Sequence, residues 1–395
     1  MRIFCSALIF IFSINVTWAA QTLSPRTYET LSQIQELMAG DKLPEAANEL
    51  TELLTDVQNS PLALALTLQT FAQLEVRRDN LSAAQQHLQR ALQIEGLDDG
   101  SLSQLRIFSA QVYFASAEYK TCINLLLPWL KPVPQDAPAA AFALLAAAYY
   151  SQGNIKQGLP YIEEAIARNK EPKEAWLQMA FAGHYQLQQL DNALLYSDAL
   201  LNNFPDKKDY WLQKSGILQM QNKINEAAAV RYAASLKGFD FSQAEVVAYA
   251  QLLGARGVPY KTALILSEAD KQESLNEKDR RLLLQAWLQA RETQKAKQVL
   301  HTLFEQYAQA DDGILLLQLY VDAEEWDKVL PLAGSLFDKK LTPKQHGLIL
   351  IYQGIALFRT GRVDPAIESM TAAMAFEPVI SQAKSWQQYM LQIKG

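Results

Sequence analysis

Small residues recur along this chain at an almost fixed interval, and few folds are compatible with that. Each follows a turn by a few positions: Ala46, Ala84, Cys122, Gly158, Ala193, Ala227, Ala263, Ala296, Val329 and Ala366, spaced 33 to 38 residues apart. A period of this size marks an array of supersecondary units, each unable to bury its apolar face alone. Three residues before each stands a mostly bulky side chain: Leu43, Leu81, Tyr119, Ile155, Leu190, Ile224, Tyr260, Thr293, Trp326 and Val363. Turn formers precede several of these, as in Gly40-Asp41, Asp79-Asn80, Gly153-Asn154 and Gly361-Arg362. In the fourth unit Phe142, Leu145, Ala146 and Tyr149 keep helical spacing before the turn, and Ile162, Ala165 and Ile166 keep it after. The spacing predicts helix, tight turn, helix. Two antiparallel helices crossing near their shared turn leave no room for a large side chain, which is why the recurring residue is small.

Composition removes several function classes. An apolar fraction of 49% over 395 residues supplies a large core and excludes a disordered chain. The formal charge is −6 and no run of five or six basic residues occurs, so nucleic acid is not expected as a partner. The four histidines, His87, His184, His301 and His346, fall in different hairpins, and only two cysteines are present, so neither a metal nor a cofactor is expected. No phosphate-binding glycine loop or nucleophile elbow appears. Adjacent acids such as Glu163-Glu164, Asp311-Asp312 and Glu324-Glu325 point about 100° apart on a helix and read as solvated faces. No enzyme is expected.

Residues 1–19 read as a secretory signal peptide. Arg2 precedes an apolar run over residues 3–14, and Thr17-Trp18-Ala19 places small residues for cleavage after Ala19. The run is too short to span ~30 Å of hydrocarbon, and no later segment is longer, so no integral span is expected after cleavage. Cys5 lies ahead of the apolar run, the wrong place for a lipoprotein cysteine, and would leave with the signal. Cys122, amid Ile123, Leu125, Leu126 and Leu127, is expected as core. Residues 20–378 form the repeat array, and residues 379–395, with Ala383, Trp386, Tyr389 and Met390 on one face, form a capping helix.

The bulky-x-x-Ala step, the Gly-Asn/Asp turn, Tyr113 and Tyr149 eleven places into their units, and Pro205 and Pro378 closing theirs resemble the tetratricopeptide repeat. The resemblance covers residues 24–378, with Gln251 and Phe181 departing where that family prefers Gly or Ala. It implies an all-α, right-handed α-solenoid of about ten helical hairpins with a C-terminal capping helix. A narrower resemblance rests on Gln21-Thr22-Leu23-Ser24-Pro25-Arg26-Thr27-Tyr28, on Phe204-Pro205-Asp206-Lys207-Lys208-Asp209-Tyr210-Trp211-Leu212 and on Gly257-Val258-Pro259-Tyr260-Lys261. These segments are similar to those of exported tetratricopeptide proteins that accompany TonB energy-transduction systems in Gram-negative bacteria. That family implies a periplasmic accessory of TonB, ExbB and ExbD in the uptake of iron complexes.

By analogy with the tetratricopeptide family, positions two, five, nine and twelve of each first helix face the concave groove. Position nine opens with Gln35, Gln73 and Gln111 and continues through Ala147, Ala182, Gly216, Leu252, Gln285, Gln318 and Ile355. A ladder of primary amides offers donors and acceptors to an extended peptide backbone, whatever its side chains. The plainer reading is a chain generally rich in glutamine. Position twelve places Phe114, Tyr150 and Tyr185 in successive hairpins beside the smaller Ala147 and Ala182, a grip for Pro-rich or apolar segments. Alternatively Tyr150 and Tyr185 pack between hairpins with their hydroxyls reaching water. The family's carboxylate clamp is not reproduced, since position five reads Leu31, Gln69 and Ile107, although Arg281 keeps one basic contact in the eighth hairpin. Lys207-Lys208 beside Tyr210-Trp211 reads as a helix-junction cap.

Two functions are compatible with these residues. The first is a periplasmic protein–protein interaction scaffold that binds TonB or ExbD periplasmic segments, the Pro-rich linker of TonB being a fitting occupant of an aromatic groove. The second is a periplasmic assembly factor or chaperone for envelope proteins or cell-wall enzymes.

Overall fold

The computed structural model describes residues 23–271 and 275–394. The expected signal peptide, residues 1–19, lies outside them. The described residues form 21 α-helices and a single 3-10 turn, with no strand among them. The chain divides between Phe204 and Pro205 into two compact units. The first holds five hairpins: α1 (Pro25–Ala39) with α2 (Leu43–Asp56), α3 (Pro61–Arg77) with α4 (Leu81–Leu92), α5 (Asp99–Ala115) with α6 (Tyr119–Leu130), α7 (Ala139–Ser151) with α8 (Ile155–Ala167), and α9 (Glu174–Gln186) with α10 (Leu190–Asn203). The second holds five more: α11 (Lys208–Met220) with α12 (Ile224–Leu236), α13 (Gln243–Ala255) with α14 (Pro259–Lys271), α15 (Glu277–Gln289) with α16 (Thr293–Tyr307), α17 (Ala310–Asp322) with α18 (Trp326–Phe337), and α19 (Pro343–Arg359) with α20 (Val363–Ala373). After the 3-10 turn Glu377–Val379, α21 (Ile380–Lys394) closes the tenth hairpin, burying Ala383 and Met390 completely.

Every hairpin turn is built alike. One residue adopts the left-handed conformation: Asp41, Asp79, Ala117, Gly153, Gln188, Asn222, Gly257, Arg291, Glu324 and Gly361, with φ between 57° and 80°. It reverses the chain, the next residue caps the second helix, and the fifth residue on faces the first helix at its closest approach. In nine hairpins that fifth residue is the small one found in the sequence, and all nine are buried. A Cβ built at Gly158 would lie 2.9 Å from Tyr149 Cβ and 3.0 Å from the Ala146 carbonyl oxygen. The slot is small because backbone stands opposite it.

The seventh hairpin corrects the sequence register by one residue. Its left-handed residue is Gly257, and Val258 N–H donates back to the Leu253 carbonyl just as Lys42 N–H does to Leu37. The slot therefore belongs to Thr262, 1% exposed, whose N–H donates to the Val258 carbonyl, and not to Ala263. Pro259, not Tyr260, then opens α14, as proline at the first helical position can. The same correction puts Ala250, fully buried, where Gln251 was expected to break the family preference. Phe181 remains a departure.

Within each unit the helices pack on their sequence neighbours, and the first helices also meet one another: α1 with α3, α3 with α5 and α5 with α7 in one unit, α17 with α19 in the other. Contacts between near neighbours are the signature of a solenoid. Cys122 occupies the slot of the third hairpin, fully buried, and burial pushes its thiol up to about 12. It is an inert core residue.

Candidate functional site

The first helices present one face inward to their own hairpin and another to their surroundings. In α1, α3 and α5 the position-eight residues Ile34, Ala72 and Ala110 are fully buried. The next residue lies about 100° further round the helix, and there stand Gln35, Gln73 and Gln111, all half-buried. Among the described residues none of these three carboxamides has a hydrogen-bond partner within the chain. One turn earlier, position five supplies Leu31, Gln69 and Ile107, each buried.

The corrected register of the seventh hairpin exposes a second series that the sequence reading missed. Position nine there is Gln251, not Leu252, which is buried. Gln251, Gln285 and Gln318 therefore follow one another on α13, α15 and α17, all exposed and, among the described residues, without partners in the chain. The legible signal was Gly257: counting from the turn glycine, and not from the nearest alanine, gives the right frame. Each unit thus carries three successive hairpins with glutamine at one register position.

The aromatic residues separate. Phe114 is half-buried and packs edge-on against Tyr119 of its own hairpin, 5.2 Å between centroids. Tyr185 is exposed and stacks on Phe181 one turn before it, at 6.1 Å. Tyr150 packs between the fourth and fifth hairpins, against both Gly158 and Gly183. A side chain at Gly183 would collide with Tyr150 Oη and lie 2.9 Å from Leu159 Cδ1. The Tyr150 hydroxyl is buried without a hydrogen-bond partner, and burial, with Glu163 and Tyr196 nearby, raises its pKa well above the usual phenol range. The hydroxyl does not reach water, because Gly158 and Gly183 leave room for the ring to pack between the two hairpins.

The remaining polar candidates are occupied. Arg281 grips Asp312 with both terminal nitrogens, at 2.8 and 3.0 Å, and also holds Glu277 at 2.9 Å, so it is no open contact for a ligand carboxylate. Lys208 Nζ donates to the Asp240 carbonyl at 2.8 Å and to Glu245 at 3.0 Å, while Trp211 Nε1 donates to the Pro205 carbonyl at 2.8 Å. That patch ties a helix junction together, as the sequence suggested. The adjacent acids are less solvated than expected: Glu164 meets Arg168 at 2.6 Å, Asp312 meets Arg281, and Glu325 pairs with Lys297 and Lys328. His184 is buried between Glu163 and Gln189. His87 stacks on Phe71, His301 meets Tyr320 Oη, and His346 sits between Phe337 and Phe376. Among the described residues no group of three or more metal-binding side chains is brought together, and no helix is long and apolar enough to cross a membrane.

Solved structures with similar helical hairpins include a tetratricopeptide repeat protein from Parabacteroides merdae, at 14% identity, TM-score 0.40, over 66% of this chain and 98% of that one. YrrB, a TPR protein with an unusual peptide-binding site, matches 48% of this chain and 91% of its own at 18% identity and TM-score 0.39. Naa15/Naa10 bound to HypK-THB matches 92% of this chain and 66% of its own at 14% identity and TM-score 0.41. No family model and no curated protein matches the chain.

Proposed function

We propose that this chain is a protein–protein interaction scaffold that holds an extended partner segment along its first helices, with the glutamine series as the contact. The observation that carries this reading is the recurrence of unpaired carboxamides at one register position in three successive hairpins of each unit. Each amide can donate to a carbonyl and accept from an N–H, so a series of them matches a peptide main chain of any sequence. Phe114 lies one turn after Gln111 on α5 and adds an apolar contact beside the first series. The narrower part of the proposal rests on the resemblance of the three short segments: a periplasmic protein, exported by a signal cleaved after Ala19, whose partners are periplasmic segments of TonB or ExbD in iron-complex uptake.

Crosslinking in intact cells tests it, with wild type beside a Gln35→Ala, Gln73→Ala, Gln111→Ala variant and a Gln251→Ala, Gln285→Ala, Gln318→Ala variant. Exposed or half-buried glutamines without partners can be truncated at little cost to folding. Capture of TonB or ExbD by wild type, reduced at least tenfold in either variant, is the expected result. Capture unaffected in both variants would remove the glutamines from the site. Outer-membrane or wall proteins captured without any TonB component would overturn the partner. Amino-terminal sequencing of the periplasmic fraction is expected to start at Ala20.

A further inference from the structure

A cavity of about 380 Å³ opens in the second unit between α12, α13 and α14, away from the glutamine positions. Its walls are mostly apolar or aromatic, with Phe241, Val246, Tyr249 and Ile265 behind and the exposed Tyr232 and Leu264 at the lip. The volume falls within the ~300–1,000 Å³ of small-ligand sites. Into this lining the sixth hairpin sends Arg231, whose Nε and Nη1 are buried and have no hydrogen-bond partner. A buried guanidinium N–H left unpaired is unfavourable, and the oxygen of an anion such as a carboxylate is its strongest acceptor.

The charges around the cavity favour an anion. Its one carboxylate, Glu245, is already engaged by Lys208 Nζ at 3.0 Å and by the Ser242 backbone N–H at 2.8 Å. Lys261, the other cation in the lining, stands 5.5 Å from the centre of the Tyr232 ring and, among the described residues, has no acidic partner. Two cations thus face a carboxylate that a third cation neutralises. Burial lowers the Arg231 pKa and Glu245 partly restores it, the response of a cation short of a close anion.

We propose that this cavity binds an apolar ligand ending in a carboxylate, its chain against Phe241, Val246 and Ile265 and its anionic end on Arg231. Two sources share that chemistry, a free aliphatic carboxylate and the C-terminal residue of an apolar peptide.

Isothermal titration of the full chain tests the proposal with decanoate, decanol, and N-acetyl-Leu-Phe-Leu as free acid and as amide. The expected result is binding of decanoate, of the peptide acid, or of both, at least tenfold tighter than the matching neutral probe. Decanoate alone assigns the site to free carboxylates, and the peptide acid alone assigns it to chain termini. Arg231→Met is expected to abolish that preference. Leu264→Trp, at an exposed position that should leave the fold intact, is expected to fill the mouth and reduce binding at least tenfold. Neutral probes binding as well as charged ones, or charged probes binding equally to Arg231→Met, would overturn it. So would no binding of any probe to a wild-type chain that melts cooperatively.

Discussion

The two units repeat one hairpin five times each and close the seams between hairpins with different chemistry. In the first, the seam between the fourth and fifth hairpins is filled by volume: Tyr150 occupies a space that exists only because Gly158 and Gly183 lack side chains. In the second, charge crosses the seams. Arg280 joins the eighth hairpin to Asp270 of the seventh at 2.9 Å, and Arg281 and Lys297 join the eighth to Asp312 and Glu325 of the ninth. Arg280, Lys297 and Asp312 are each less than a tenth exposed. In the first unit the buried Glu75 finds Arg78 and Asn80 within its own hairpin, and the polar links across seams are single hydrogen bonds, such as His184 with Glu163 and Arg77 to the Met38 carbonyl, instead of bidentate or clustered ion pairs. The same backbone frame therefore sets helix positions in both units, while side chains outside the frame decide how neighbours are fixed. Removing one member of a buried ion pair strands the other, whereas a steric seam responds to volume.

That contrast is sharpest at position five. Arg281→Leu leaves Asp312, 4% exposed, without its bidentate partner, and is expected to destabilise the second unit by about 3 kcal/mol. Gln69→Leu, the same register position in the first unit, is expected to change stability by less than about 1 kcal/mol. Urea unfolding combined with hydrogen exchange, which assigns the loss to a unit, checks both. Adding Asp312→Leu to Arg281→Leu is expected to recover most of the loss, and equal losses at the two positions would end the contrast.

The steric seam has its own test. Gly183→Ala drives a methyl into Tyr150 and Leu159, and a loss of about 1–3 kcal/mol in urea unfolding is expected. Tyr150→Phe alone is expected to be neutral or slightly stabilising, since it deletes a buried hydroxyl that has no partner. In that background Gly183→Ala is expected to cost less, because its nearest clash, with the hydroxyl oxygen, is gone. Losses that simply add would place the strain elsewhere.

These seams mark the boundary of what the sequence made legible. The hairpins were readable because each is a local pattern: an apolar stripe, a turn and a small residue five places after the left-handed one. The frame failed only in the seventh hairpin, where Thr262 and Ala263 stand side by side and both fit a tight slot; alanine drew the register and hid Gln251. For a different reason the sequence leaves Tyr150 two readings, a groove contact or a ring packed between hairpins. Its position depends on Gly183, 33 residues further along the chain, and no local periodicity encodes which glycine will meet which ring. The acid pairs were underestimated likewise, because Arg281 and Lys297 reach them across hairpins.

Acid should divide the units. Hydrogen bonds from Lys297, Lys328 and Gln294 hold the Glu325 carboxyl at about 2, below its ordinary 4.5. A depressed folded-state pKa stabilises the fold above the unfolded value, and the benefit is lost as pH falls through the folded one. The second unit is therefore expected to weaken from about pH 4.5 down towards 2, more steeply than the first. Glu325→Gln should flatten that slope while lowering stability at neutral pH. Equal slopes for the two units in hydrogen exchange, or a slope unchanged by the substitution, would show that Glu325 does not set the difference.

The smallest effect probes what the units have in common. Seven of the ten turns hold a residue other than glycine in the left-handed conformation, which strains a side chain bearing a Cβ. Ala117, φ 59°, lies in the first unit and has no side-chain hydrogen bond to lose. Ala117→Gly is expected to raise stability by about 0.5–1 kcal/mol, the relief of strain exceeding glycine's larger unfolded-state entropy. Arg291→Gly in the second unit makes the same backbone change at φ 59°. Similar gains at both positions would mean that the turns obey one rule while the seams obey two; a gain confined to the first unit would extend the difference between the units to the frame itself.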